Sequence, residues 1–465
     1  MMAPNPEAIE QELATANGDW NPTSWRDFPI KQMPDYPDHQ KLNAVFNELS
    51  SYPPLVTSWE VEKLRKKIID AGNGKRFLLQ GGDCAETFDS CTSPNIVNLL
   101  KVLLQTSFIL IHEIGVPVTR IGRLAGQYAK PRSNDVEEVN GETIYTYRGD
   151  LINRIEATPE ARQPDPKRLL EGYKTASMTL NFIRALTEEG FADLHHPEYW
   201  ELDFMKQNEY YKEYEEMVHS ITKAISFVER ISSVPFPGLQ NIHMYTSHEA
   251  LNLFYESAQT RRVPRHPGYY NLSAHMVWLG KRTSQLDGAH VEYLRGIVNP
   301  IGVKVGPDYG KEELIELLDK LNPGNEEGKI VLISRMGQDK VEDRLPELIR
   351  EVKKQERNVV WSCDPMHGNT FSTEQEIKTR NFDDILTELR KTFSIHRKEE
   401  SILGGVHFEL TGSNVTECVG GAKGLNEDGL AMNYETYCDP RLNYEQSLEM
   451  AFMLAKEWRN SFGSK

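Results

Sequence analysis

The sequence predicts an α/β protein built as a (β/α)8 TIM barrel, with an N-terminal extension and a helical insertion after the second barrel strand. Two observations predict it: eight short runs enriched in apolar and β-branched residues, and amphipathic stretches of helical period between most of them. That alternation is the pattern of parallel strands joined by crossover helices, which either closes into a barrel or stays an open doubly wound sheet. A third observation, one interval far longer than an ordinary crossover, places the insertion.

Taken in order, residues 1–58 are rich in Pro and Trp and read as an assembly or regulatory arm, with a helix over 38–49. "TSWEVEKLRKKIIDAGNGK" follows as a capped helix ending at Gly72 or Gly74 and opens the catalytic barrel, 59–465. The strands are "RFLLQGG" (76–82), "PVTRIGRL" (117–124), "NIHMYTS" (241–247), "LSAHMVWLG" (272–280), "IGVKVG" (301–306), "KIVLISRM" (329–336), "NVVWSCD" (358–364) and "GGVHFELT" (404–411). Helices are expected over 94–114, 167–188, 311–321, 341–356 and 374–392, with a last one near 443–460. Residues 189–235 read as two extra helices, rich in aromatics.

A net charge of −16 over 465 residues argues against nucleic-acid binding, which needs a basic face. No stretch reads as apolar over the length a membrane crossing needs. The five cysteines are odd in number and mostly scattered, which suits a reducing compartment. The opening "MMAPNPEAIEQEL" has neither the apolar core of a signal peptide nor the arginines of a transit peptide, so a cytoplasmic location is expected.

A barrel of this kind places its chemistry at the C-terminal ends of its strands. The first strand is followed by "DCAE", with Cys84, and the seventh by "PMHG", with His367. The eighth contains "HFELTG", with Glu409, and the loop beyond carries "YETYCDPRLN", with Asp439. One thiolate, one imidazole and two carboxylates suit Mn²⁺, Fe²⁺, Co²⁺ or Zn²⁺, not a structural four-cysteine zinc site. Each residue also has an ordinary reading, as a core cysteine, a loop histidine, a paired strand glutamate and a turn aspartate. In "VVWSCDPMHGNTF" the Asp364-Pro365 pair ends a strand abruptly, as a strand built to present His367 would end.

The same ends carry cations. "RIGRLAGQYAKPRS" supplies Arg123, Lys130, Arg132 and Ser133, and "WLGKRTSQLDGAH" supplies Lys281 and Arg282. Lys304 and Arg335 carry most information, because a charge on a barrel strand is costly unless it is paired or faces a polar cavity. Guanidinium forks match phosphate and carboxylate oxygens two at a time. A cationic pocket in an acidic protein points to a substrate with several negative charges.

"LLQGGDCAETF", "RIGRLAGQYAKPRS", "GDLINR", "TSHEALNLFYE", "QLDGAHVEYLRGIVNPIGVKVGP", "WSCDPMHGNT" and "GGVHFELTG" together resemble the type II 3-deoxy-D-arabino-heptulosonate 7-phosphate (DAHP) synthases, from about residue 20 onward. The resemblance implies a metal-dependent, aldol-like condensation of phosphoenolpyruvate with erythrose 4-phosphate, the first step of the shikimate pathway. It implies Cys84, His367, Glu409 and Asp439 as metal ligands, with Mn²⁺ first and Co²⁺, Fe²⁺ or Zn²⁺ as alternatives. Arg123, Lys130, Ser133, Arg282, Lys304 and Arg335 match positions that handle the two phosphorylated substrates, and His367, Lys304 and Arg123 are the expected catalytic groups. It also implies a homo-oligomer, dimer or tetramer, and feedback inhibition by an aromatic amino acid at the arm and the insertion.

The sequence departs from that family at Lys281, where an acidic residue usually precedes the arginine matching Arg282, and at Ser284, where an arginine usually precedes Gln285. Lys281 reverses a charge beside the phosphoenolpyruvate pocket. An inactive regulatory paralogue, a related synthase of specialised metabolism and an unrelated metal-dependent sugar-phosphate aldolase are the other readings. Cys438 adjoins Asp439, so oxidation is expected to be able to join it to Cys84 at the cost of the metal.

Overall fold

The computed structural model describes residues 20–139, 141–188, 211–219, 223, 242–264 and 266–462. Eight parallel strands close into a barrel: β1 (Phe77–Gly82), β2 (Val118–Arg123), β3 (Met244–Glu249), β4 (Met276–Leu279), β5 (Ile301–Val305), β6 (Ile330–Ser334), β7 (Val359–Cys363) and β8 (Leu403–Glu409). Each pairs with its sequence neighbours, and β8 closes on β1 with Gly82 opposite Glu409. All eight overlap the runs expected from the sequence, most of them nearly continuous apolar runs as strands buried on both faces need, but β3 is shifted from the expected 241–247 to end at Glu249.

The helices used below are α1 (His39–Ser51), α2 (Ser58–Gly72), α3 (Ser93–Ile114), α4 (Lys167–Glu188), α5 (Leu253–Ala258), α6 (Ala289–Arg295), α7 (Lys311–Leu321), α8 (Val341–Lys354), α9 (Phe382–Lys398) and α10 (Tyr444–Phe462). Local chemistry starts and stops them. Asp38 caps α1, and α2 opens with a capping box in which Thr57 and Glu60 satisfy each other's backbone N–H. Two expectations are corrected. The stretch 374–392 is not one helix: Thr370–Ser372 and Lys378–Arg380 form a small antiparallel hairpin, and α9 begins at Phe382 behind its cap Asn381. Further, α3 does have the length and apolarity to cross a membrane, but more than half of its most apolar window is buried, against β1, β2 and α10.

Most of the expected insertion 189–235 lies outside the described residues; within it, 211–219 are helical. The arm is described from Trp20 onward and lies on the barrel's flank. Trp25 packs edge-on against Phe254 of α5, and the Trp20 indole donates to the Glu292 carbonyl on α6 at 2.8 Å.

Period-two alternation along the strands decides which end of the barrel is reactive. Leu78, Ile121, Tyr245, Met276, Val331, Ile333 and Val360 form an apolar floor, covered from below by Leu64, Ile68 and Ala71 of α2. Two residues further up, the layer turns polar: Gln80 donates to Ser247 at 2.8 Å, and the Trp278 ring stands edge-on to His407. One more step of two brings Gly82, Arg123, Glu249, Lys304, Asp364 and Glu409 to the C-terminal rim.

Candidate functional site

The parallel register places Gly82 opposite both Arg123 and Glu409, so the ends of β2, β1 and β8 are level. Gly82 has φ 144°, and a Cβ there would lie 2.6 Å from the Arg123 carbonyl; only glycine lets these strands meet so closely. Just past it, Cys84, Glu409 and Asp439 bring one donor atom each within 4.8 Å of one another. His367 joins them from β7, its Nε2 3.1 Å from Glu409 Oε1. Three of the four residues expected as metal ligands thus gather at one mouth of the barrel, and His367 touches one of them, Glu409.

Each donor is held from behind. Asp364 Oδ1 accepts the backbone N–H groups of Met366 and His367, and its Oδ2 lies 2.7 Å from His367 Nδ1. The ring is thereby fixed with Nε2 toward the cup, the arrangement in which a carboxylate orients a ligating imidazole. The Asp439 loop is tied down by Arg441, which forks onto Glu417 at 2.7 and 3.0 Å and reaches Asp83 at 2.9 Å.

Charge balance in the cup is local. Glu409 is fully buried, with Arg123 at 2.8 Å, Arg380 at 2.7 Å and Lys130 at 3.7 Å. Burial alone would raise its pKa, but His367 and these cations outweigh burial and hold it well below the ordinary carboxylate range. Lys130 also lies 2.7 Å from Asp439 and donates to Cys84 Sγ at 2.8 Å. Burial pushes the Cys84 thiol up, and the Cys438 thiol beside it adds to the effect. A thiol, an imidazole nitrogen and two carboxylates are a donor set that fits a divalent cation.

Beside the cup opens a cavity of about 550 Å³. Its walls include Arg123, Lys130, Ser133, Lys281, Arg282, Lys304, Arg335 and His367, which brings every residue expected to bind substrate to one place. Lys304 lies 2.5 Å from Asp364 Oδ2; burial pushes its pKa down to about 8 in spite of that partner. Burial opposes the ionisation of Asp364 too, but His367 and Lys304 keep it well below its usual range. Arg282 donates to Ser133 Oγ at 2.9 Å and to the Pro131 carbonyl at 3.2 Å. Arg335 donates to the His367 carbonyl at 3.3 Å, and its buried Nε has no acceptor among the described residues. Lys281 leans to the edge: its ammonium lies 3.4 Å from the Tyr309 ring centroid, 3.4 Å from Asp308 and 3.7 Å from Glu313.

Three residues that serve the site had no role in the sequence reading. Arg380 comes from the hairpin that was expected to be helix. Asp364 was visible only as the end of a strand. Glu249, inside the quoted "TSHEA", faces the cavity with Oε1 buried and unpartnered among the described residues, and burial raises its pKa against the pull of Lys130 and Lys304.

Comparisons with known proteins bear on the family of the chain. A family model described as the class-II DAHP synthetase family matches residues 20–455. A Neurospora crassa protein named phospho-2-dehydro-3-deoxyheptonate aldolase is 48% identical over 467 residues, spanning 97% of this chain and 96% of that protein. A Streptomyces coelicolor protein of the same name is 45% identical over 449 residues, spanning 96% of this chain and 100% of that protein. A solved structure, a truncated 3-deoxy-D-arabino-heptulosonate 7-phosphate synthase from Thermotoga maritima, aligns at 13% identity with a TM-score of 0.35, covering 84% of this chain and 89% of its own. With the family model spanning almost all of the described barrel and two relatives matched end to end, the chain belongs to the class-II DAHP synthetase family.

Proposed function

We propose that the chain is a 3-deoxy-7-phosphoheptulonate synthase. It joins phosphoenolpyruvate to D-erythrose 4-phosphate, consumes one water and releases inorganic phosphate. The observation that carries the reading is the junction of two features at one rim: the Cys84–His367–Glu409–Asp439 cup and a cavity walled by cations. A divalent cation in the cup, Mn²⁺ first among the candidates, supplies Lewis acidity toward a carbonyl oxygen.

The residues of the chain do the rest. Arg282, Lys304 and Arg335 hold the phosphate and carboxylate of phosphoenolpyruvate, and Lys130 and Ser133 serve the second phosphate. Both substrates are anions that repel each other, so holding them in attack geometry supplies much of the rate gain. Trp278 is the shared platform, with the Arg123 guanidinium 5.2 Å and the Lys304 ammonium 5.8 Å from its ring centroid. Lys304, pushed down to about 8, can give up a proton near neutral pH to oxygen that gains charge. Glu249 offers the acceptor for the proton that the adding water loses. An oligomer and an aromatic amino-acid effector rest on the family resemblance.

The test is an assay with both substrates and Mn²⁺ that follows phosphate release and phosphoenolpyruvate consumption together. One phosphate per phosphoenolpyruvate consumed, dependent on erythrose 4-phosphate and abolished by chelator, is expected. Addition without phosphate release would identify an ordinary aldolase, and no consumption would end the reading.

A further inference from the structure

The cavity's outer wall is the segment that follows β2, residues 124–135. Its inner side is pinned by the barrel: Glu86 accepts the backbone N–H groups of Ala125, Gly126 and Gln127 at 2.8–3.0 Å. Its outer side is pinned by something else. The Arg132 N–H donates to the side-chain oxygen of Gln32, in the N-terminal arm, at 2.8 Å. The Gln32 carbonyl in turn accepts from Arg148 Nη1 at 3.0 Å, and Arg148 is paired with Asp135 in the same segment.

Gln32 reaches this position at a conformational cost. Its φ is 63°, in the left-handed region where a residue with a Cβ is strained and glycine is not. The arm is anchored on both sides of it, by the Pro29 carbonyl accepting from Ala289 N at 2.9 Å and by Met33 Sδ receiving Leu253 N–H at 3.3 Å. A glycine would satisfy the backbone path between those anchors. What glycine lacks is the amide oxygen that meets Arg132.

We propose that Gln32 is a positioning residue for substrate binding: through it the N-terminal arm holds the 130–133 stretch so that Ser133 sets Arg282 in the geometry that receives phosphoenolpyruvate. The path is short. Gln32 fixes the Arg132 amide; the next residue, Ser133, accepts from Arg282; and Lys130, Arg132, Ser133 and Arg282 all line the cavity. The inference rests on reading that cavity as the substrate site.

Three variants of the full chain test it: Gln32→Met, of similar length but without the acceptor; Gln32→Gly, which removes acceptor and strain together; and Gln32→Glu, which keeps an acceptor oxygen. Two readouts are taken beside melting temperature: the Kd for phosphoenolpyruvate by calorimetry with Mn²⁺, and hydrogen exchange of the peptide spanning 128–136. Losing one hydrogen bond predicts a Kd raised about 3- to 10-fold in Gln32→Met and Gln32→Gly, with faster exchange of that peptide and kcat changed less than about twofold. Gln32→Glu returns both readouts toward the parent, and Gln32→Gly melts no lower than the parent. Unchanged Kd and exchange in folded Gln32→Met overturn the proposal, as do losses in all three variants that simply track melting temperature. A parent protein that binds phosphoenolpyruvate but releases no phosphate would sink the proposed activity and leave this test intact. If the parent binds no phosphoenolpyruvate, the exchange readout alone decides whether Gln32 holds the segment.

Discussion

The two halves of the barrel rim handle charge in opposite ways. In the cup the carboxylates and their counter-charges come from the chain itself: Glu409 and Asp439 are met by Arg123, Lys130 and Arg380 within 2.7–3.7 Å. In the cavity next to it, Arg282 and Arg335 are met by a hydroxyl and carbonyls, and neither has a carboxylate ion pair among the described residues. Arg282 is exposed and Arg335 half-buried, so neither needs a counter-charge from the chain, and both stay available to an anion that enters the cavity. The cup is compensated before anything binds, and the cavity waits for anions. A protein of net charge −16 thus gathers cations without carboxylate partners around this cavity.

The contrast predicts different losses from the two sides. The largest is expected for His367→Ala, which removes the imidazole nitrogen of the cup: kcat/KM with Mn²⁺ falls by about a hundredfold or more, with metal content falling alongside, while the Kd for phosphoenolpyruvate changes only a few-fold. Turnover at the parent rate with a full complement of metal would erase the distinction between the halves. Next is Arg380→Leu, which takes one of the buried cations from Glu409. Breaking a buried pair from one side costs about 3–5 kcal/mol, so the chelated protein should lose that much stability. Added Mn²⁺ should restore most of it, because the ion returns positive charge to the same carboxylate. Denaturant melts with and without the metal measure this, and an equal loss in both conditions would mean that Arg380 serves packing alone.

The two halves also differed in how far sequence reasoning could reach. Of the residues expected as ligands, Cys84, His367 and Glu409 stand at or just past strand ends, which are readable because apolar runs stop there, while Asp439 stands in the loop beyond β8; the strand-end logic also found Lys304 and Arg335, whose charges sit inside or just beyond such runs. Arg380 was missed for a local reason. "KTRNF" lies in a stretch whose apolar spacing suits a helix, and only the pairing of Lys378–Arg380 with Thr370–Ser372 turns the arginine toward Glu409. Asp364 and Glu249 were in view, but a carboxylate at a strand end has no meaning until its neighbours are known. Of those neighbours only His367 is local, three residues from Asp364; Lys304 lies 60 residues from Asp364, and Lys130 lies more than a hundred from Glu249. The contact of Gln32 with Arg132 spans a similar distance and follows from no periodicity.

A middle-sized effect should come from pH, on the cavity side only. Burial pushes Lys304 down to about 8, so in the free enzyme it carries its charge below that pH and loses it above. A cation that recognises an anion works on the acidic side of its own pKa. The expected profile of kcat/KM therefore falls above about pH 8, by up to about tenfold per unit, and Lys304→Arg shifts that fall to higher pH. The Kd for phosphoenolpyruvate measured from pH 6 to 10 should weaken in parallel. A flat profile across that range would show that Lys304 is not the cation the substrate meets.

The smallest effect is expected at Lys281, where this chain departs from the family's usual acidic residue. Its ammonium is already occupied by the Tyr309 ring, Asp308 and Glu313, with about a fifth of the side chain exposed and both carboxylates more exposed still. Pairs of that kind contribute about 0.2–1 kcal/mol and are screened by salt. Lys281→Glu sets a third carboxylate beside Asp308 and Glu313, so it should cost stability of about that size and raise KM for phosphoenolpyruvate two- to threefold, by roughly the repulsion that one partly solvated charge exerts. Both changes should shrink as ionic strength rises, which a titration from low salt to about 0.5 M would follow. A tenfold change in kcat in either direction, insensitive to salt, would place position 281 among the reacting groups and move the boundary of the anion-hungry half outward to include it.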